Sequence, residues 1–100
     1  MGFISDVLSR SKIESEGKEL ARQFAKRLTK ERAGEEKRVS AEFEILLAHA
    51  LGYRRKSGLG VLGTSHLANS FQWGLIEEGW DADFAKEIGS RLAVKLAAAS

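Results

Sequence analysis

One hundred residues is the usual extent of one domain and is enough chain to bury a single modest core. Hydrophobic residues make up 43% and charged residues 30%, a balance that belongs to globular chains and not to disordered ones. A net charge of +2 is too small to argue for nucleic acid by itself, and the absence of cysteine excludes a disulfide scaffold, a thiol nucleophile and any thiolate zinc site.

Proline is absent as well. Because proline breaks helix interiors and punctuates loops, its absence predicts a chain that is mostly helix with short connections, in which the 10 glycines supply the breaks. Met1 to Asp6 carry neither a basic leader nor a long apolar run, so no signal peptide is expected, and no apolar stretch approaches the roughly eighteen residues of a membrane span. We therefore expect a cytoplasmic protein without a membrane partner. Charge is mildly polarised: residues 1–56 hold 13 basic and 9 acidic residues, a balance of +4, and residues 57–100 hold 3 and 5, a balance of −2.

The elements follow in chain order. A short helix over about 5–9 presents Phe3, Ile4, Val7 and Leu8 on one side. A second, over about 13–33, places Ile13, Gly17, Leu20, Phe24 and Leu28 within roughly 80° of one another, with Gly34 as its stop. Ser40 suits the N-cap of a third helix whose stripe is Val39, Phe43, Leu46, Leu47, Ala50 and Leu51 and whose stop is Gly52. A basic, glycine-rich connection over 53–63 leads to a fourth helix, capped by Thr64 or Ser65 and ended by Gly79. Asp81 caps a fifth over about 82–98, with Phe84, Ile88, Leu92 and Leu96 as its stripe and Ala85, Gly89, Ala93 and Ala97 beside it. No segment sustains the alternation of a strand. The expectation is an all-α, single-domain bundle of four to five helices.

The fourth helix is the most unusual. Leu67, Phe71 and Leu75 give it a core side, yet His66, Asn69, Trp73, Ile76 and, if the helix runs on, Trp80 gather within roughly 80° on the other. A helix apolar on two sides is either central in the bundle or part of an interface, and tryptophan is enriched where binding energy concentrates. On the interface alternative, those five residues dock another protein or a second copy of the chain as a homodimer.

A second functional candidate is basic. Lys18, Arg22, Lys26 and Lys30 run along the second helix opposite its apolar stripe, with Arg27 and Arg32 adding to the basic set, and Arg54, Arg55 and Lys56 follow in the connection. Together they make a phosphate-binding patch for nucleic acid, or simply the solvated face that an amphipathic helix needs. Gly58-Leu59-Gly60-Val61-Leu62-Gly63 matches G-x-G-x-x-G, but no strand precedes it, so it reads as an interhelical loop or a simple anion site and not as a dinucleotide fingerprint.

Catalytic and metal chemistry find little support. His49 and His66 show no ligand spacing, no serine sits in a nucleophile motif, and Asp81 and Asp83 of the acidic group Glu77, Glu78, Asp81 and Asp83 are accounted for by the N-terminus of the fifth helix. We expect no enzyme, no cofactor and no metal. Finally, Thr64-Ser65-His66-Leu67-Ala68-Asn69-Ser70-Phe71 resembles the recognition-helix segment of AraC-type regulators, where Ser-His-Leu is followed four residues later by Phe, and Leu47-Ala48-His49-Ala50-Leu51-Gly52 is similar to the helix before it. The chain departs from that pattern in the eleven residues between Gly52 and Thr64, longer than the three- or four-residue turn of such motifs, and in Gln72-Trp73 where the family carries a basic pair.

Overall fold

Apolar residues recur every three or four positions from Ile13 to Leu28, and this period belongs to a helix with one buried side. In the computed structural model, which describes the backbone of residues 2–99 and the side chains of residues 10–99, they lie on α1 (Gly2–Arg27). The two helices expected over 5–9 and 13–33 are therefore one backbone helix, and the side expected of Phe3, Ile4, Val7 and Leu8 lies outside the described side chains. Nothing in Arg10-Ser11-Lys12 opposes helix, since serine is neutral and arginine and lysine are good helix formers. The helix ends at Arg27, ahead of Gly34, and a 3-10 turn over Lys30–Arg32 follows an extended Thr29.

The remaining elements are α2 (Glu36–Ser57), α3 (Val61–Glu77) and α4 (Ala82–Ala98). The fold is all-helical, with no strand among the described residues. Ser40 and Gly52 lie inside α2, whose real stop is Gly58 in a left-handed conformation. Thr64 and Ser65 lie inside α3, so the connection from α2 is only Gly58, Leu59 and Gly60. That removes the long turn counted above. It does not restore a helix-turn-helix, because α3 packs on α1 and α4 and α2 makes its main contacts with the same two helices.

The tightest seam joins α1 to α3. A methyl group at Gly17 would lie 2.6 Å from Ser70 Cβ and 2.9 Å from the Leu67 carbonyl oxygen, and one at Gly74 would lie 2.7 Å from Ala21 Cβ. Real Cβ atoms do not approach that closely, so only glycine fits at either place. The pairing runs Gly17 to Ser70, Ala21 to Gly74 and Lys18 to Glu77, the last an ion pair of 3.3 Å. Positions rise together, so the two helices are parallel. Deeper in, Phe24 meets Phe71 edge to face at 5.9 Å between centroids, a favoured aromatic geometry. On its other flank α3 meets α4 antiparallel, with Gly89 against the Gln72 side chain.

One core joins the four helices. Leu28, Leu67, Phe71, Leu75, Ile88, Leu92 and Leu96 are wholly buried, and α2 adds Val39, Phe43, Leu46 and Ala50. Each of the Leu, Ile, Val and Phe side chains contributes about 1.5–3 kcal/mol on burial. Polar contacts help to fix α2 to α4: the Arg91 guanidinium sits 5.7 Å from the Phe43 ring centroid, and Arg54 Nη1 donates 3.0 Å to the Leu96 carbonyl in the last turn of α4. Asp81 caps α4 as its sequence implies, accepting from the N–H groups of Asp83 at 3.0 Å and Phe84 at 3.2 Å.

The seam makes a direct prediction. Gly17→Ala and Gly74→Ala should each destabilise the protein by about 2 kcal/mol in urea unfolding, although alanine is the better helix former by about 1 kcal/mol. Unchanged unfolding midpoints in both variants would mean that the backbones do not approach this closely.

Candidate functional site: the outer face of the third helix

Between Lys56 and Glu77 the chain contains no Asp, Glu, Lys or Arg. In a protein that is 30% charged, a charge-free run is ordinary only for an element buried on all sides. The helix α3 is not. With α1 on one flank and α4 on the other, it keeps an outward sector. Leu62, His66, Asn69, Trp73 and Ile76 fall in that sector, within about 80° at 100° per residue.

Leu62 is 87% exposed and Trp73 is 54% exposed; Asn69 is exposed, and His66 and Ile76 are half-buried. The five positions step by four, three, four and three residues, the spacing of a seam that faces another helix. The stripe is about 21 Å long at 1.5 Å per residue. Solvated helix faces carry lysines and glutamates; this one carries an indole and two aliphatic side chains. His66 adds an anomaly, for its Nε2 is buried and has no hydrogen-bond partner.

Four of the five expected residues, His66, Asn69, Trp73 and Ile76, thus share this sector. The fifth does not. Trp80 is only 7% exposed and belongs to the core. The helix stops before it: Gly79 takes φ +93°, the Gly79 N–H reaches the Ile76 carbonyl at 3.0 Å, and the Trp80 N–H reaches the Leu75 carbonyl at 3.0 Å. This is the Schellman ending. It turns the chain inward, where the Trp80 ring stacks on Phe84 at 4.8 Å. A Cβ at Gly79 would also lie 2.8 Å from Lys30 Nζ, so the ammonium lies over the C-terminus of α3, a helix with no basic residue of its own in its last turn. Leu62 is the residue that sequence reasoning missed. Its glycine neighbours suggested a loop, whereas Val61 already begins the helix; the spacing of Leu62 to His66 and Asn69, together with the charge gap, was the available signal.

The basic patch does not assemble as one surface. Arg54, Arg55 and Lys56 form the last turn of α2 and not a loop. Because α2 runs antiparallel to α1, they lie at the opposite end of the molecule from Lys26, Arg27 and Lys30, with about 24 Å of helix between Arg38 and Arg54. Lys18 pairs with Glu77 and Arg22 with Glu19. Lys26, Arg27, Lys30, Arg32, Lys37 and Arg38 are all exposed and cluster around the α1–α2 connection.

The concave features are shallow or open, among them a depression of about 520 Å³ beside Ser11, Ser15, Glu19 and Tyr53. An open cleft of about 320 Å³ lies between Leu51, Arg54, Arg55, Gly58, Leu59 and Ala99, and a smaller one of about 180 Å³ lies beside Thr64, Ser65 and Ala93. Between α1 and α2 a gap of about 10 Å³ next to Gln23, Glu42 and His49 has room for one water, and Glu42 Oε2 there is buried without a partner. No three His, Asp or Glu side chains converge in a way that could hold a metal ion among the described residues. No helix among them is long and apolar enough to cross a membrane.

The two indoles should behave differently. Trp80→Ala should cost about 3 kcal/mol of stability, and Trp73→Ala, with just over half of its surface already exposed, only about 1 kcal/mol. Denaturant unfolding of the two variants checks this, and equal losses would remove Trp73 from the surface. No family model matches this chain, nor does any curated protein or any solved structure.

Proposed function

We propose that this chain is a non-enzymatic interaction module that docks a partner protein through the outer face of α3. The observation that carries the reading is a helix face with an exposed tryptophan and leucine and no charge, on an element whose own core side is already filled. Folding of the chain does not require this face to be apolar; contact with another protein does. His66, Asn69, Trp73 and Ile76 are retained in the docking surface from the sequence reading, and Leu62 joins them in place of Trp80.

Photo-crosslinking tests it in the source cells. The variant Trp73→p-benzoylphenylalanine should yield a discrete cross-linked product, and the same replacement at exposed Lys37 should not. Equal cross-linking from both positions, or none from position 73, would count against the reading.

A second reading, nucleic-acid binding, is favoured by one observation: none of the six exposed cations around the α1–α2 connection forms an ion pair among the described residues. Such a corner binds backbone phosphates without reading sequence. It predicts affinity for duplex DNA that falls roughly a hundredfold to a thousandfold between about 50 and 200 mM salt. It also predicts loss of binding in Lys26→Glu and Lys37→Glu but not in Arg55→Glu. No binding at the lower salt, or equal loss in all three variants, removes this reading.

A further inference from the structure

We infer that the partner of the α3 face is a second copy of this chain, seated antiparallel on the same face; this rests on the docking reading above. Three observations lead there.

The first is chemistry. From residue 57 to residue 76 there is no fixed charge. A charged partner surface would lose its water on this face with no counter-charge to meet it, whereas an uncharged, mixed apolar and amide surface would not. The α3 face is itself a surface of that composition, larger than the isolated exposed aliphatics Val61 and Val94 because, among the described residues, it alone joins an indole to its aliphatic side chains.

The second is self-complementarity. A two-fold axis pairs the same patch with itself. Placed at Asn69, the midpoint of the stripe, such an axis sets amide against amide, and each side chain is both donor and acceptor. With the helices antiparallel, Trp73 meets the partner's smaller His66, and Leu62 meets the partner's Ile76. Parallel helices would force the two indoles together. The four-and-three spacing of the stripe is what lets two helices stay in contact along its length.

The third is area. Trp73, Leu62 and the exposed parts of the other three residues amount to about 500 Å² per copy, reckoning a whole aromatic side chain at up to roughly 250 Å². Two copies bury about 1,000 Å², the lower bound of a specific interface. An interface of that size belongs to the weak, transient class, so association is sought at concentrations on the order of 10 µM and above.

Sedimentation equilibrium from about 10 µM to about 1 mM tests the inference across that range. The mass should climb from 11.0 kDa toward twice that value. Trp73→Glu and Leu62→Glu should raise Kd at least tenfold, with unchanged helical circular dichroism. Should either variant lose its helix signal, Asn69→Asp serves in its place, since it alters only an exposed residue and sets two carboxylates together at the axis. A wild-type chain that stays at 11.0 kDa throughout, or variants that associate as the wild type does, overturns the second copy. Iodide quenching in the Trp80→Phe background separates the two possible failures. If the chain is monomeric and Trp73 is quenched, the face is open and only the second copy is wrong. If the chain is monomeric and Trp73 is shielded, the docking reading falls with it.

Discussion

The close approach of α1 and α3 is the constraint from which the rest of the structure follows. At Gly17 and at Gly74 one backbone lies against the other with no room for a methyl group. Helices that approach this closely gain dispersion contacts along their whole seam, and they leave no space for long side chains between them. Two consequences follow. The bulky residues Phe24 and Phe71 are displaced to one side of the seam, where they meet edge to face and start the core. The charged residues are displaced to the other side, where Lys18 pairs with Glu77 at the surface. That ion pair, with both partners more than a third exposed, adds little stability; its place is a consequence of the seam and not its cause.

Fixing α3 between α1 and α4 also decides what the helix leaves open. Its inward side is filled by Leu67, Phe71 and Leu75, all wholly buried. Its flanks are given to Gly17 and Gly89. The remaining outward sector is determined geometrically before any functional consideration enters. A helix so placed would normally be solvated by charged residues along that sector, and α1, α2 and α4 largely follow this rule with Arg22 and Lys26, Lys37 and Glu44, and Lys86 and Glu87 exposed on their outer sides, Ile45 and Val94 being single aliphatics among them. The departure of α3 from the practice of its neighbours is the reason that its surface, and not another, calls for an explanation beyond folding.

Much of the fold was legible in the sequence because burial leaves a period. The stripes through Phe24, Phe43, Phe71 and Leu92 lie in the core, with Leu47, Leu51 and Phe84 half-buried at its edge, and Asp81 caps the helix that it precedes. What was not legible turned on local signals that tertiary packing overrides. Gly52 lies exposed inside α2 because an isolated glycine costs a helix only about 1 kcal/mol, which the burial of Leu46 and Ala50 before it offsets. The glycines at 58, 60 and 63 have the spacing of one loop, yet Gly63 packs near Ile13 as part of α3. A glycine that ends a helix and a glycine that admits a neighbour have the same identity in a sequence; only the partner's position distinguishes them.

The two tryptophans show the same limit at the candidate site. By spacing alone Trp73 and Trp80 belong to one stripe, being seven residues apart, two turns of a continuous helix. A single backbone dihedral separates them. Because Gly79 adopts φ +93°, the chain reverses, Trp80 takes the position that a Schellman ending reserves for a hydrophobic residue, and its ring closes that end of the core against Phe84. Trp73 lies before the reversal and stays with α3, outward. One indole is thereby consumed by the monomer and the other is left over. That asymmetry is the physical basis for reading the outward face as a surface for contact: the fold has a use for Trp80, and the described residues leave Trp73 54% exposed.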